Sequence, residues 1–143
     1  MRIYLACTVR GNRDALAAAR ALCARLEQHG HDVLTRHLLA DDVEAVESRL
    51  TEEQVFRRDL EWLESCQALV AEASGSSYGV GFEVGYVLAG AARTDQRVYL
   101  LFDRSQRSRI SRMIAGTAHP ACRVLPYRDV AEALAFIDAH LGR

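Results

Sequence analysis

Lysine is absent from this chain: all 18 basic side chains are arginines, set against 19 acidic ones for a formal net charge of -1. Without an amine, Schiff-base catalysis is excluded, and so is any phosphate loop that depends on its lysine. A charge so close to zero argues against a dedicated nucleic-acid binder. No run approaches the ~18 consecutive apolar residues of a membrane span, and the N-terminal MRIYLACTVRG has no basic region followed by a long apolar stretch. Cysteine is sparse: Cys7, Cys23, Cys66 and Cys122 are scattered, with no pair at zinc-knuckle or redox spacing, and read as buried free thiols. The histidines form no metal-ligand pattern either, since His29 and His31 flank Gly30 and His119 precedes Pro120. The chain therefore reads as cytoplasmic, with no metal, no membrane and no nucleic-acid partner.

What is present suffices for one domain. Half of the 143 residues are hydrophobic, enough to bury a core without disulfides or metal. No repeat, low-complexity segment or linker divides 1–143. A short β-forming run over 2–6 ends in a loop at Thr8, Arg10 and Gly11, and apolar residues then recur at helical spacing from 14 to 28 before Gly30. A strand follows at 32–35, then an acidic stretch read as loop or loose helical turn. Thr51 with Gln54 sets a cap for a helix to Ser65. Further on come a buried strand at 67–73, a Gly/Ser loop at 74–81, a helix at 80–92, a strand at 97–102, a short helix at 108–115, a strand at 122–126 and a closing helix at 130–141. Such alternation predicts an α/β fold: a single doubly wound, five-stranded parallel sheet of order 2-1-3-4-5, flavodoxin/Rossmann-like, with helices on both faces. Ligands then bind where strands one and three diverge, between residues 7–13 and 73–79.

Both loops suit an anion. The first, Cys7-Thr8-Val9-Arg10-Gly11-Asn12-Arg13, offers a hydroxyl, a glycine and two guanidinium groups just before a helix, where backbone N–H groups and the dipole favour phosphate; the plainer reading is an ordinary turn. The second contributes small residues and the Ser77 hydroxyl, with Glu83 in the first helical turn, where the dipole is expected to keep a carboxylate charged. Asp59, Trp62 and Leu63 share a helix face, so Asp59 either pairs with Arg57 or Arg58 or faces the crevice as a general acid with a raised pKa. Trp62 and Phe82 read as core. His37 lies near the crevice and reads either as a base or sugar contact or as a loop histidine.

Taken together, Tyr4-Leu5-Ala6-Cys7-Thr8-Val9-Arg10-Gly11, Asp59-Leu60-Glu61-Trp62-Leu63 and Ser77-Tyr78-Gly79-Val80-Gly81-Phe82-Glu83-Val84-Gly85 resemble the 2'-deoxynucleoside 5'-monophosphate N-glycosidases, relatives of the nucleoside 2-deoxyribosyltransferases. The similarity runs on through Ser111-Arg112-Met113-Ile114. It implies hydrolysis of the N-glycosidic bond of a deoxynucleoside monophosphate to free base and 2-deoxyribose 5-phosphate, with no cofactor. By position it implies that Glu83 is the nucleophile, forming a deoxyribosyl ester, and that Asp59 is a second acid. Tyr4 holds sugar and nucleophile, and Thr8, Val9, Arg10, Gly11, Ser77 and Gly79 cradle the phosphate. Ser111 is supplied by the neighbouring subunit, which makes a homodimer with shared active sites part of the expectation. Cys7 and Met113 join His37 as possible base or sugar contacts. The chain departs from the pattern at Ala6-Cys7-Thr8, where relatives often carry Cys-Gly-Ser, and at Asn12, which replaces a frequent glycine and can keep its positive backbone angle. Alternatives are a deoxyribosyltransferase, a ribonucleotide (CMP-type) N-glycosidase and, in another class, a catalytically silent nucleotide-binding module.

Overall fold

The computed structural model describes residues 1–142. Five strands, β1 (Arg2–Ala6), β2 (Asp32–Val33), β3 (Ala68–Glu72), β4 (Arg97–Asp103) and β5 (Cys122–Tyr127), form one all-parallel sheet of order β2-β1-β3-β4-β5. Between them run α1 (Leu16–Gln28), α2 (Val43–Glu47), α3 (Glu52–Ser65), α4 (Tyr78–Thr94), α5 (Arg112–Ala115) and α6 (Val130–Leu141). Among the described residues no helix is long and apolar enough to cross a membrane. The expected order and the two-faced covering are both present.

The pleat explains the layers. Ile3, Leu5, Val70 and Leu101 point to the face covered by α1 and α6, where Leu22, Leu26 and Ile137 meet them. Tyr4, Ala6, Leu69, Leu100 and Phe102 point to the other face, against Leu63 of α3 and Val84 and Val87 of α4. With both faces covered, strands read as apolar runs rather than alternations, and all five residues of β3 are buried. Because α1 leaves β1 on one face and α4 leaves β3 on the other, a crevice opens between their carboxyl ends. All four cysteines are buried and unpaired.

Four segments differ in detail from expectation. β2 stops at Val33 because the buried Thr35 turns its side chain inward: Oγ1 accepts from Leu5 N–H at 3.0 Å and donates to Leu5 C=O at 2.7 Å, replacing two ladder bonds. The acidic stretch becomes a 3-10 turn, Arg36–Leu39, and the short α2. Helix α4 begins at Tyr78, behind the N-cap Ser77, so Gly79 and Gly81 lie inside the helix rather than in a loop. Likewise the short helix expected from Ser108 is confined to α5, with Ser111 as its N-cap. The expected Thr51 cap is a full capping box with Gln54.

Candidate active site

A cavity of about 810 Å³ occupies the crevice, within the usual size range of small-molecule sites. Cys7, Val9, Arg10 and Gly11 wall one side; residues 75–80 and Glu83 wall the other. Asp59 of α3 faces in from above, and Leu38, Leu50, Val55 and Phe56 make an apolar end.

Glu83 sits on the cavity wall, and Tyr4, wholly buried on β1, donates its hydroxyl to Glu83 Oε1 at 2.7 Å. Burial pushes the Glu83 carboxyl up to about 7; the Tyr4 hydrogen bond pulls it down and the nearby Asp59 charge pushes it up. This corrects the dipole argument. With α4 starting at Tyr78, Glu83 lies in the second turn, where the helix-end field has faded, so desolvation decides the sign. Tyr4 is fixed as a donor: burial and the Glu83 and Asp59 charges raise its pKa far above the ordinary tyrosine value.

Asp59 is paired as well as inward-facing. Arg58 reaches Asp59 Oδ1 through Nε at 2.9 Å and Nη2 at 2.8 Å, while Nη1 and Nη2 hold Glu47 at 2.8 and 3.1 Å. The guanidinium carbon lies 4.9 Å from the Trp62 ring centroid. Burial raises the Asp59 pKa, and the Arg58 hydrogen bonds and charge work against that rise. Of the two arginines expected as partners of Asp59 it is Arg58 that pairs with it, whereas Glu47, held below its ordinary value chiefly by Arg58, is a site residue that sequence reasoning missed. The one available signal was the Arg-Asp dipeptide beside Trp62; nothing in sequence placed Glu47 against it.

The opposite end of the cavity offers donors. Arg10 is exposed and makes no hydrogen bond or ion pair among the described residues, and the Ser77 hydroxyl makes no cap bond. The first amides of α4 point the same way, and no acidic side chain occupies its first turn. Gly11 holds φ +104°, so it is Gly11 and not Asn12 that carries the positive angle; Asn12 instead accepts the Asp14 amide in an Asx turn. At Gly75 a Cβ would collide with the Thr8 side chain and come within 2.6 Å of the Asn12 carbonyl, so the two loops touch through a glycine.

Other expected residues stand elsewhere. The Thr8 side chain is buried beneath Gly75 and does not line the cavity. His37, in the 3-10 turn, bonds Glu47 Oε1 at 3.2 Å and packs edge-on to Trp62 at 5.5 Å, outside the cavity. Ser111 and Met113 do not line this cavity but an adjoining apolar cleft of about 680 Å³ between α4 and α5, which shares residues 76–78 and Val80 with it; Met113 is 87% exposed. The Cys7 thiol does line the cavity, but burial raises its pKa to about 11, which keeps it protonated at neutral pH. Trp62 is only partly buried, and Phe82 is exposed, stacked on Tyr86 rather than in the core. Among the described residues no group of three His, Cys, Asp or Glu side chains is placed to hold a metal ion.

Two carboxylates beside an anion-receptive crevice at the switch point of a doubly wound sheet form the arrangement used by enzymes that break or transfer glycosidic bonds. The chain belongs to the nucleoside 2-deoxyribosyltransferase family, whose model matches residues 3–118. It is 42% identical over 99% of its length to a Thermofilum pendens protein provisionally named 2'-deoxynucleoside 5'-phosphate N-hydrolase 1, of which it covers 95%. Identity to the 5-hydroxymethyl-dUMP N-hydrolase of Danio rerio is 30%, covering 90% of this chain and 88% of that one. Among solved structures, the CMP N-glycosidase BcmB of Clostridium botulinum superposes with a TM-score of 0.69 over 98% of this chain and all of that one; at 18% identity it shares the fold.

Proposed function

We propose that the protein hydrolyses the N-glycosidic bond of 2'-deoxynucleoside 5'-monophosphates through a covalent Glu83 intermediate. The observation that carries this reading is the Tyr4–Glu83 pair at the cavity wall. Tyr4 occupies Oε1, and among the described residues Oε2 has no hydrogen-bond partner, so a buried, rigid donor leaves it available. Glu83 Oε2 attacks C1', the C1'–N bond breaks with its electron pair leaving on the base, and the base takes up a proton. Water then attacks C1' of the glycosyl ester, the C1'–O bond to Glu83 breaks to restore the carboxylate and release 2-deoxyribose 5-phosphate, and the proton that water gives up balances the one the base took from solvent. The transition state is oxocarbenium-like, so the carboxylates of Glu83 and Asp59 stabilise it. Arg10, Ser77 and the α4 amides hold the phosphate, whose binding energy orients C1' over Glu83. A pKa of about 7 leaves a substantial fraction of Glu83 ionised at neutral pH.

The reading includes a second copy of the chain. Ser111 caps α5 without using its side chain, and Tyr78 and Met113 beside it are exposed. Gly81 and Gly85 face the same cleft, and beyond their own stretch of helix no atom of the described residues lies within 4 Å of where a Cβ would stand. A partner brought onto this cleft supplies its Ser111 to the phosphate. Four unpaired thiols suit the reducing cytoplasm.

The test is a panel of deoxynucleoside monophosphates, including 5-hydroxymethyl-dUMP, beside matched ribonucleotides, nucleosides and added acceptor bases, followed by chromatography of free base. Release of base from the deoxynucleotides, with a deoxyribosyl adduct on the Glu83 peptide by mass spectrometry, is expected. Base exchange without hydrolysis would make the protein a transferase, and tight binding without turnover a silent module. Mixing Glu83→Ala with Ser111→Ala chains should recover activity, because one site of the mixed dimer is intact; no recovery refutes the shared site.

A further inference from the structure

The carboxyl end of β3 carries a buried carboxylate that this chemistry leaves unused. Glu72 is 2% exposed, and every hydrogen bond to it is donated: Ser74 Oγ and Tyr127 Oη (2.8 Å) to Oε1, and the Ser74 amide, at a long 3.3 Å, to Oε2. Ser74 Oγ in turn accepts the Asp103 amide at 2.7 Å. Glu72 thus ties the start of the second loop to the ends of β4 and β5, and Oε2 keeps spare acceptor capacity.

Beside Glu72 lies a cavity of about 10 Å³, also lined by Thr8, Asn12, Arg13 and Gly75. That is room for one water molecule. Among the described residues, two buried side-chain polar atoms have no hydrogen-bond partner: Thr8 Oγ1 and Arg13 Nε. Both residues line this one cavity. Buried polar groups are otherwise almost always paired with protein or ordered water, and a water with a carboxylate, a guanidinium N–H and a hydroxyl around it has the two to four partners a buried water needs.

We infer that one ordered water is bound here, accepting from Arg13 Nε–H, donating to the Glu72 carboxylate and hydrogen-bonding the Thr8 hydroxyl, so that Glu72 is a positioning residue joining the two anion-receptive loops. Arg13 is itself anchored, its Nη2 donating to Leu38 C=O at 2.9 Å. The water therefore links the cavity's apolar end, the first loop and the second loop beneath Gly75, and it sets the separation of the groups around the anion without touching it. The kinetic consequence rests on the phosphate reading above; the water site does not.

Crystallography of the full chain, at a resolution that shows ordered solvent, tests the site directly. Density within hydrogen-bond distance of Thr8 Oγ1, Arg13 Nε and Glu72 is expected. A dry cavity, or a Thr8 hydroxyl turned onto a backbone carbonyl, overturns the inference. The coupling is tested with the nearly isosteric Thr8→Val, titrating inorganic phosphate against backbone amide shifts of residues 8–13 and 74–77. Phosphate affinity should fall roughly tenfold, recover in Thr8→Ser, and fall similarly in Glu72→Gln. Unchanged affinity in Thr8→Val refutes the positioning role. If the native chain neither binds phosphate nor cleaves any nucleotide, the functional reading fails with the positioning role, and the crystallographic result still decides the water.

Discussion

Replacing Tyr4 with phenylalanine removes one hydrogen bond and leaves the ring, and its effect has a defined sign. Glu83 titrates at about 7 because burial outweighs the Tyr4 hydrogen bond. A hydrogen bond to a charged group is worth about 1.5–3 kcal/mol, and each pKa unit corresponds to ~1.4 kcal/mol. Tyr4→Phe should therefore raise the Glu83 pKa by roughly one to two units. If ionised Glu83 is the nucleophile, kcat/KM rises with pH through that midpoint, so the acid limb moves from near 7 toward 8 or above. Asp59→Asn removes a like charge and should move the limb down, by less, because that charge is the smallest of the three influences. The two carboxyls titrate as a coupled pair, so the profile must be matched to carbon-13 carboxyl shifts of Glu83 itself. A Tyr4→Phe midpoint that stays put or falls, or an Asp59→Asn midpoint that rises, refutes this account of the site.

Stability carries the same signature. Because Glu83 binds its proton more tightly folded than unfolded, its contribution is fully present below about 4.5 and is lost as pH rises through about 7. Glu83→Gln should thus leave thermal stability unchanged at acid pH and add about 3 kcal/mol, a rise of roughly ten degrees in Tm, above neutrality; calorimetry across that range checks it. Gly75→Ala forces a Cβ into Thr8 and the Asn12 carbonyl and should cost about 1–3 kcal/mol, whereas Gly90→Ala, in open space on α4, should gain about 0.5–1 kcal/mol; urea unfolding separates them. Arg58→Lys keeps the charge but cannot hold Asp59 and Glu47 together, so the Asp59 pKa should rise and kcat fall at least roughly tenfold; native kcat in that variant removes the positioning role.

The fold was legible because its determinants are local. The 3.6-residue periodicity of α1, the apolar runs of β3 and β4 and the Thr51 cap are all written within a few positions of one another. The carboxylate pair was also legible, but the reason for its ionisation was not. That depended on where α4 begins, and Ser77 with two glycines after it gives weak signals for a helix start. Long-range pairings left still less trace: Tyr4 with Glu83, 79 residues apart, was legible only through the family resemblance, and Arg58 with Glu47 and Glu72 with Tyr127, separated by 11 and 55 residues, not at all. The Thr8 hydroxyl looked like a phosphate ligand because strand pleat does not reveal which way a residue just past the strand end will turn.

The missing lysines acquire a physical meaning at this point. Each inward carboxylate has its own kind of donor: hydroxyls for Glu83 and Glu72, the Arg58 guanidinium for Asp59 and Glu47. Hydroxyl pairing orients a carboxylate without adding charge, so burial can raise its basicity, and no cation figures among the influences on Glu83. In the proposed mechanism a mobile ammonium near C1' would drive that pKa down and weaken Glu83 as the nucleophile, since a less basic carboxylate gives up its electron pair less readily. It would also oppose the positive charge that develops on the sugar in that proposed mechanism. Arg58 avoids this because its rigid fork is spent on two acids and a tryptophan face, which holds its charge at α3 and away from Glu83.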